Sequence, residues 1–240
     1  FTTGNGYSHV EYIPIKGARL DKVADVNQLS RDIEAGKCAI EDAEERIESI
    51  RSKPPKAAWE QLLGAFVGSG GFCAIFGGGL LDCAASAIAG LIVFAVVLFG
   101  GDKLTKTLSN VLGGLIGTTI CMAFHRLGFG TSLANMIIGA LIPLIPGVAF
   151  TNGLRDISNE DYLAGTTRLL DAIMVFLCIA LGTALAFIVH SWINGSMINL
   201  SGTTTDSITA TYPLQLVAAF FGTAAFSIVF GAPRRCYAVC

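Results

Sequence analysis

Pro143, Pro146 and Gly147 interrupt an apolar stretch, and Thr151, Asn152, Arg155 and Asp156 follow at once. A helix broken at membrane depth frees backbone carbonyls and amides, which is tolerated where the break is buried in protein or lines a watery cavity. Transporters place their solute sites at such breaks. The side chains suit that use. A guanidinium such as that of Arg155 grips a carboxylate through two parallel hydrogen bonds. Thr151 and Asn152 supply neutral donors and acceptors. Asp156, or Asp171 further along, could take an ammonium group or a coupling proton. The expected solute site is therefore Pro146, Gly147, Thr151, Asn152, Arg155 and Asp156. Asp82, Arg168 and Asp171 are candidates for coupling or supporting roles. Each has an ordinary use as well: helix capping and ion pairing for the loop residues, and marking the outer surface for Asp82. The chemistry is recognition and movement of a solute, with no catalytic residue, cofactor or metal ligand expected.

The elements that must position these residues are apolar. The 240 residues are 52% hydrophobic and 14% charged, against about 25% charged in a soluble domain, and the mean hydropathy is +0.62. The deficit falls after residue 60. A membrane span needs about 20 mostly apolar residues, and candidate spans lie at 60–81, 83–100, 108–127, 132–150, 168–193 and 213–231. A water-soluble helix should show a polar face, and 83–100 and 168–193 show almost none. The predicted fold is an all-α polytopic membrane protein. A five-span half occupies 59–193, an external loop 194–212, and the first span of a second half 213–240. A short cytoplasmic segment of α/β-like character, 1–58, precedes them. It holds a strand over 7–15 and amphipathic helices over 19–35 and 40–51, the first ended by Gly36 and the second by Pro54 and Pro55.

Basic residues orient the spans. With the N-terminal segment inside, 15 of the 16 Lys and Arg fall on the cytoplasmic side. Only Arg126 falls outside, as the positive-inside rule requires. His125, Arg126 and His190 read as interfacial. The chain begins at Phe1 with no signal peptide and ends at Cys240 just after a span, which suggests a fragment or a processed chain.

Several functions are disfavoured. The seven cysteines lie mostly in apolar spans with no Cys-x-x-Cys pair, so they read as packing residues rather than metal ligands or disulfides. The glycines of the spans read as close helix contacts. No phosphate-binding loop, dinucleotide fingerprint, serine-hydrolase elbow or zinc-protease motif occurs. The N-terminal segment is nearly neutral and is no nucleic-acid footprint. The chain reads as a non-enzyme.

With these residues in place, the sequence resembles the bacterial threonine/serine exporter family, whose two-subunit members include the succinate-exporting pair. Pro143 to Asp156 matches the family's Pro-x-x-Pro-Gly-x-x-x-Thr-Asn-x-x-Arg-Asp run throughout. Gly165, Arg168, Leu169 and Leu170 are similar to the residues that follow it in members. Phe76-Gly77-Gly78, with Asp82 beyond, and the stretch 19–36 are similar too. The resemblance implies two membrane halves, fused or separate, with 213–235 opening the second and the two halves inverted. It implies secondary export of a small polar metabolite by proton-motive force from a bacterial cytoplasmic membrane. Threonine or serine is the expected solute and a C4-dicarboxylate the alternative. A non-transporting scaffold subunit is the reading of a different kind. The implied partners are the solute, protons, the bilayer, the second half and further copies in a homo-oligomer.

Overall fold

In a membrane, lipid tails are as apolar as leucine, so helices associate through close packing rather than by escape from water. Small residues therefore decide which helices meet. The computed structural model describes residues 19–54, 56–100, 104–195 and 208–232. Its elements are α1 (Leu20–Glu34), α2 (Ile40–Ser52), α3 (Ala58–Ile75), α4 (Leu80–Gly100) and α5 (Lys106–Arg126). They are followed by α6 (Leu133–Leu141), a 3-10 turn (Ile142–Leu144), α7 (Gly147–Ser158), α8 (Tyr162–Asn194) and α9 (Ile208–Val229). The described residues are all-helical apart from connecting turns, as expected. The strand expected over 7–15 lies outside them.

Among the described residues, α4, α5 and α8 are long and apolar enough to cross a membrane. The pair formed by α6 with its 3-10 turn and α7, bent by 68°, makes a fourth if it is one broken span. The helix α3 is not among them, and the apolar part of α9 over Gln215–Val229 is shorter. Two expected boundaries move. The stretch 60–81 is helical only to Ile75, and a turn with Gly77 at φ +86° separates it from α4. Asp82 therefore opens α4 rather than closing the helix before it. The stretch 132–150 is divided by its prolines into α6 and the start of α7.

Glycines seat the helices. A Cβ on Gly64 would lie 2.8 Å from the Ala225 carbonyl, and one on Gly71 3.0 Å from the Gly222 Cα, so α3 and α9 touch backbone to backbone. The same holds for α5 and α8. A Cβ on Gly114 would lie 2.6 Å from the Ile179 carbonyl, and one on Gly182 would run into the Val111 carbonyl. These two helices run parallel with a constant stagger of 65 residues, seen in Lys106 with Asp171 and Thr118 with Thr183. Val93, Met122, Met136 and Ala140 form the buried centre between α4, α5 and α6.

The α1–α2 hairpin is latched to the end of α9. Arg19 Nη2 lies 2.7 Å from Asp21 Oδ2 and donates to the Pro54 carbonyl. The Leu20 N–H reaches the Phe230 carbonyl at 3.5 Å, and Lys56 Nζ donates to the Ala232 carbonyl at 2.8 Å. The hydrogen bond from Arg19 holds the Asp21 carboxyl below its ordinary range. A lowered carboxyl pKa stabilises the fold above the unfolded value of about 3.9 and loses that contribution as pH falls through the folded value.

Two outcomes follow from this packing. Gly182→Val should destabilise the protein by about 3 kcal/mol through overpacking, read as a lowered Tm in detergent; an unchanged Tm would show that α5 and α8 can separate freely. Proteolysis within α1–α2 should be slow at neutral pH and rise as pH is lowered below about 4. Asp21→Asn should show the fast rate at every pH.

Candidate functional site

Proline has no N–H, so Pro143 and Pro146 leave the carbonyls of Gly139 and Ile142 without their usual helical donors. The Ile145 N–H takes over the Ile142 carbonyl at 3.0 Å, closing the 3-10 turn. Pro146 then caps α7, and the Gly147 N–H folds back on the Ile145 carbonyl at 2.8 Å. From Leu133 to Leu144 the helical path covers about 20 Å, less than the ~30 Å of a hydrocarbon core. The break thus comes before a full crossing.

Glycines again set where α7 goes. A Cβ on Gly153 would lie 2.9 Å from Leu169 Cγ, and one on Gly165 would lie 2.9 Å from the Gly153 carbonyl. This seats α7 against the first turns of α8, which Asp161 caps by accepting from the Ala164 N–H at 3.2 Å. Phe150 and Phe176 meet edge to face, with centroids 6.3 Å apart. With Gly153 turned to α8, the stripe of Gly147, Thr151 and Arg155 faces away from it, and all three are exposed. The Thr151 hydroxyl donates to the Gly147 carbonyl. Asn152 is half-buried beside this stripe.

The charges divide unevenly. Arg168 Nη1 lies 2.6 Å from Asp156 Oδ2. Lys106 Nζ donates to both oxygens of Asp171, at 2.8 and 2.6 Å. Both carboxylates therefore arrive already paired with a cation. Among the described residues Arg155 has no such partner. The structure brings together Pro146, Gly147, Thr151, Asn152, Arg155, Asp156 and Arg168 around one short helix, with Asp171 one turn further along α8.

Asp82 stands at the opposite end of the bundle, where α4 and α6 begin. It is 1% exposed. Oδ1 accepts from the Thr131 N–H at 2.7 Å and the Ser132 N–H at 3.2 Å. Oδ2 accepts from the Gly79 N–H at 2.9 Å and the Thr131 hydroxyl at 3.3 Å. A carboxylate at helix N-termini is favoured by their free amides and dipoles. Gly130, at φ +97°, lets the loop close over it, since a Cβ there would run into Oδ1. This geometry joins the starts of two helices. Sequence reading named Asp82 but missed Gly130 and Thr131. It also missed Lys106 as the partner of Asp171, because a separation of 65 residues leaves no local signal.

The described residues thus form a multi-helix apolar bundle with a bent helix pair beside an arginine that has no anionic partner among them. The family model described as "Putative threonine/serine exporter" (ThrE) matches residues 1–190, and the chain belongs to that family. The chain is 25% identical over 179 residues to "Threonine/serine exporter" of Corynebacterium glutamicum, covering 70% of this chain and 37% of that protein. It is 23% identical over 189 residues to "Pheromone-regulated membrane protein 10" of Pichia sorbitophila, covering 74% of this chain and 18% of that protein. The protein of the same name from Candida albicans is 24% identical over 190 residues, covering 75% and 17%. The chain thus spans well under half the length of these curated relatives. No solved structure matches.

Asp82→Ala should cost about 3 kcal/mol by removing the shared acceptor of four donors, the Ser132 N–H buried and those of Gly79 and Thr131 part-buried. Asp82→Asn should cost less, because one carboxamide oxygen still accepts. Thermal unfolding in detergent checks both. An unchanged Tm would show that the Asp82 carboxylate does not hold the starts of α4 and α6 together.

Proposed function

We propose that this chain is one membrane half of a secondary exporter of small polar metabolites, threonine and serine first among them. The observation that carries the reading is the Arg155 guanidinium on α7, directly after the Pro146–Gly147 break and without an anionic partner among the described residues. An arginine is costly in hydrocarbon and belongs against a cavity or a partner group. A solute carboxylate satisfies it bidentately. Thr151 and Asn152 lie within two turns of Arg155 and offer hydrogen bonds to the rest of a hydroxylated amino acid. Family membership and the name of the Corynebacterium relative support the same solute class.

The exposed stripe of Gly147, Thr151 and Arg155 needs a second wall. We assign that wall to a second membrane half, fused or separate, so the solute path runs between halves. α7 and the starts of α5 and α8 face the cytoplasm together with the α1–α2 hairpin. This orientation is supported by the gathering of Lys56, Lys106, Arg155 and Arg168 at one end, with Arg126 at the other. Proton-motive force supplies the coupling.

One observation favours a second solute class. Asp156 and Asp171 are both engaged by cations, so the charge left over is positive. A zwitterion must pull an aspartate from its partner to place its ammonium group, whereas a C4-dicarboxylate need not.

In the full-length protein Arg155→Ala should abolish efflux while membrane abundance stays near wild type, measured by intracellular solute accumulation alongside quantitative blotting. Normal efflux would remove Arg155 from the site. Lost abundance together with lost efflux would support the scaffold reading.

A further inference from the structure

At the end of the bundle away from Arg155, two histidines in the α5–α8 seam each keep one ring nitrogen without a partner. His125 Nδ1 and His190 Nε2 are shielded from solvent and, among the described residues, make no hydrogen bond. The packing sets the two residues side by side. They are separated by the same 65 residues as Lys106 and Asp171, and as Thr118 and Thr183, whose hydroxyls lie 3.3 Å apart. Seven residues of helix make about two full turns. His125 therefore leaves α5 on the side that Thr118 uses, and His190 leaves α8 on the side that Thr183 uses. The two rings face one another across the seam, about 10 Å along from the threonine contact. Just beyond them Arg126 Nη1 donates to Asn194 Oδ1 at 2.7 Å and ties the same two helices together. Asn194 Nδ2 donates to the His190 carbonyl at 2.9 Å and stands 3.5 Å from His190 Nδ1. The free nitrogen of His190 is thus the one on the far side of its ring.

A ring nitrogen buried without a partner is unfavourable, and such an exception calls for a reason. Histidine is the side chain whose charge changes near neutral pH. Two rings that face each other can hold one proton between them: it bonds to the bare nitrogen of one ring, and the new N–H is donated to the other. A proton needs no cavity. Around the pair, among the described residues, the ionisable groups are Arg126, the Cys121 thiol one turn below His125, and Asp82 and Cys83 at the start of α4; α6, which also packs on α5, has none. The Asp82 carboxylate is already engaged by its four donors. No free carboxylate therefore competes for the proton, and the charge of Arg126 keeps it from being held too firmly to exchange. From this geometry we propose that His125 and His190 form a proton-binding site at the outer end of the exporter, where the coupling proton is taken up. The assignment rests on the export reading above and names the groups that answer the proton-motive force. It separates the two tasks in space: solute is gripped beside Arg155 and the proton is bound at the other end of the bundle.

The test uses the full-length protein in proteoliposomes, with labelled threonine and labelled succinate as probes. His125→Asn and His190→Gln each put an amide nitrogen where the free ring nitrogen stood, and an amide binds no proton near neutral pH. Movement driven by an imposed proton gradient is compared with exchange of labelled for unlabelled solute at equal pH on both sides. The proposal expects either variant to lose the stimulation by the gradient, while exchange and its KM stay near wild type and Tm in detergent is little changed. Gradient-driven movement at the wild-type rate in both variants would overturn the proton site and leave the export reading standing. Loss of exchange together with a clearly lower Tm would make the histidines structural and also overturn the site. A wild-type protein that exchanges solute but ignores the gradient would overturn the site and keep the export reading. A wild-type protein that moves neither probe would overturn the export reading, and this proposal with it.

Discussion

Everything around the candidate site depends on two missing N–H groups. Pro143 and Pro146 cannot donate, so the helix that begins at Leu133 cannot continue past Leu144, and the chain turns by 68° into α7. Backbone left unpaired in hydrocarbon costs several kcal/mol per group. Such a break survives only where protein or trapped water surrounds it. The rest of the bundle can be understood as the shelter that this turn requires.

The shelter is built from glycine. Gly153 and Gly165 let α7 lie directly on α8, and Gly114 and Gly182 let α8 lie directly on α5. Gly113 then admits Leu144 against α5 from the other side. The chain of contacts runs from the 3-10 turn through α5 and α8 back to α7. It fixes the break without a disulfide among the described cysteines. The far end is fixed by a different device. The Asp82 carboxylate draws together the starts of α4 and α6 through four donors. Asp82 and Arg155 are therefore physically separate features at opposite ends of the bundle.

Much of this was legible in the sequence, and the reasons for the exceptions are physical. Prolines and glycines act locally, so the break at Pro146 and Gly147 and the end of α1 near Gly36 could be read from residue types alone. The helices α4, α5 and α8 are marked by long apolar runs. The turn at Phe76–Gly79 was hidden because glycine and phenylalanine are also ordinary span residues, and nothing local distinguishes a glycine that packs from one that turns. Ion pairing was read as an ordinary use of the loop charges, but the pairs themselves were not legible, because only the fold brings Arg168 to Asp156 and Lys106 to Asp171.

The central claim is that the break beside Arg155 handles a carboxylate-bearing metabolite. The most direct test is solute movement in proteoliposomes containing the full-length protein under an imposed proton gradient, with threonine, serine and succinate compared side by side. The account predicts gradient-dependent movement of threonine or serine, or of succinate if the surplus positive charge decides selection, and none when the gradient is collapsed. A well-folded preparation that moves none of the three, with or without the gradient, would contradict it.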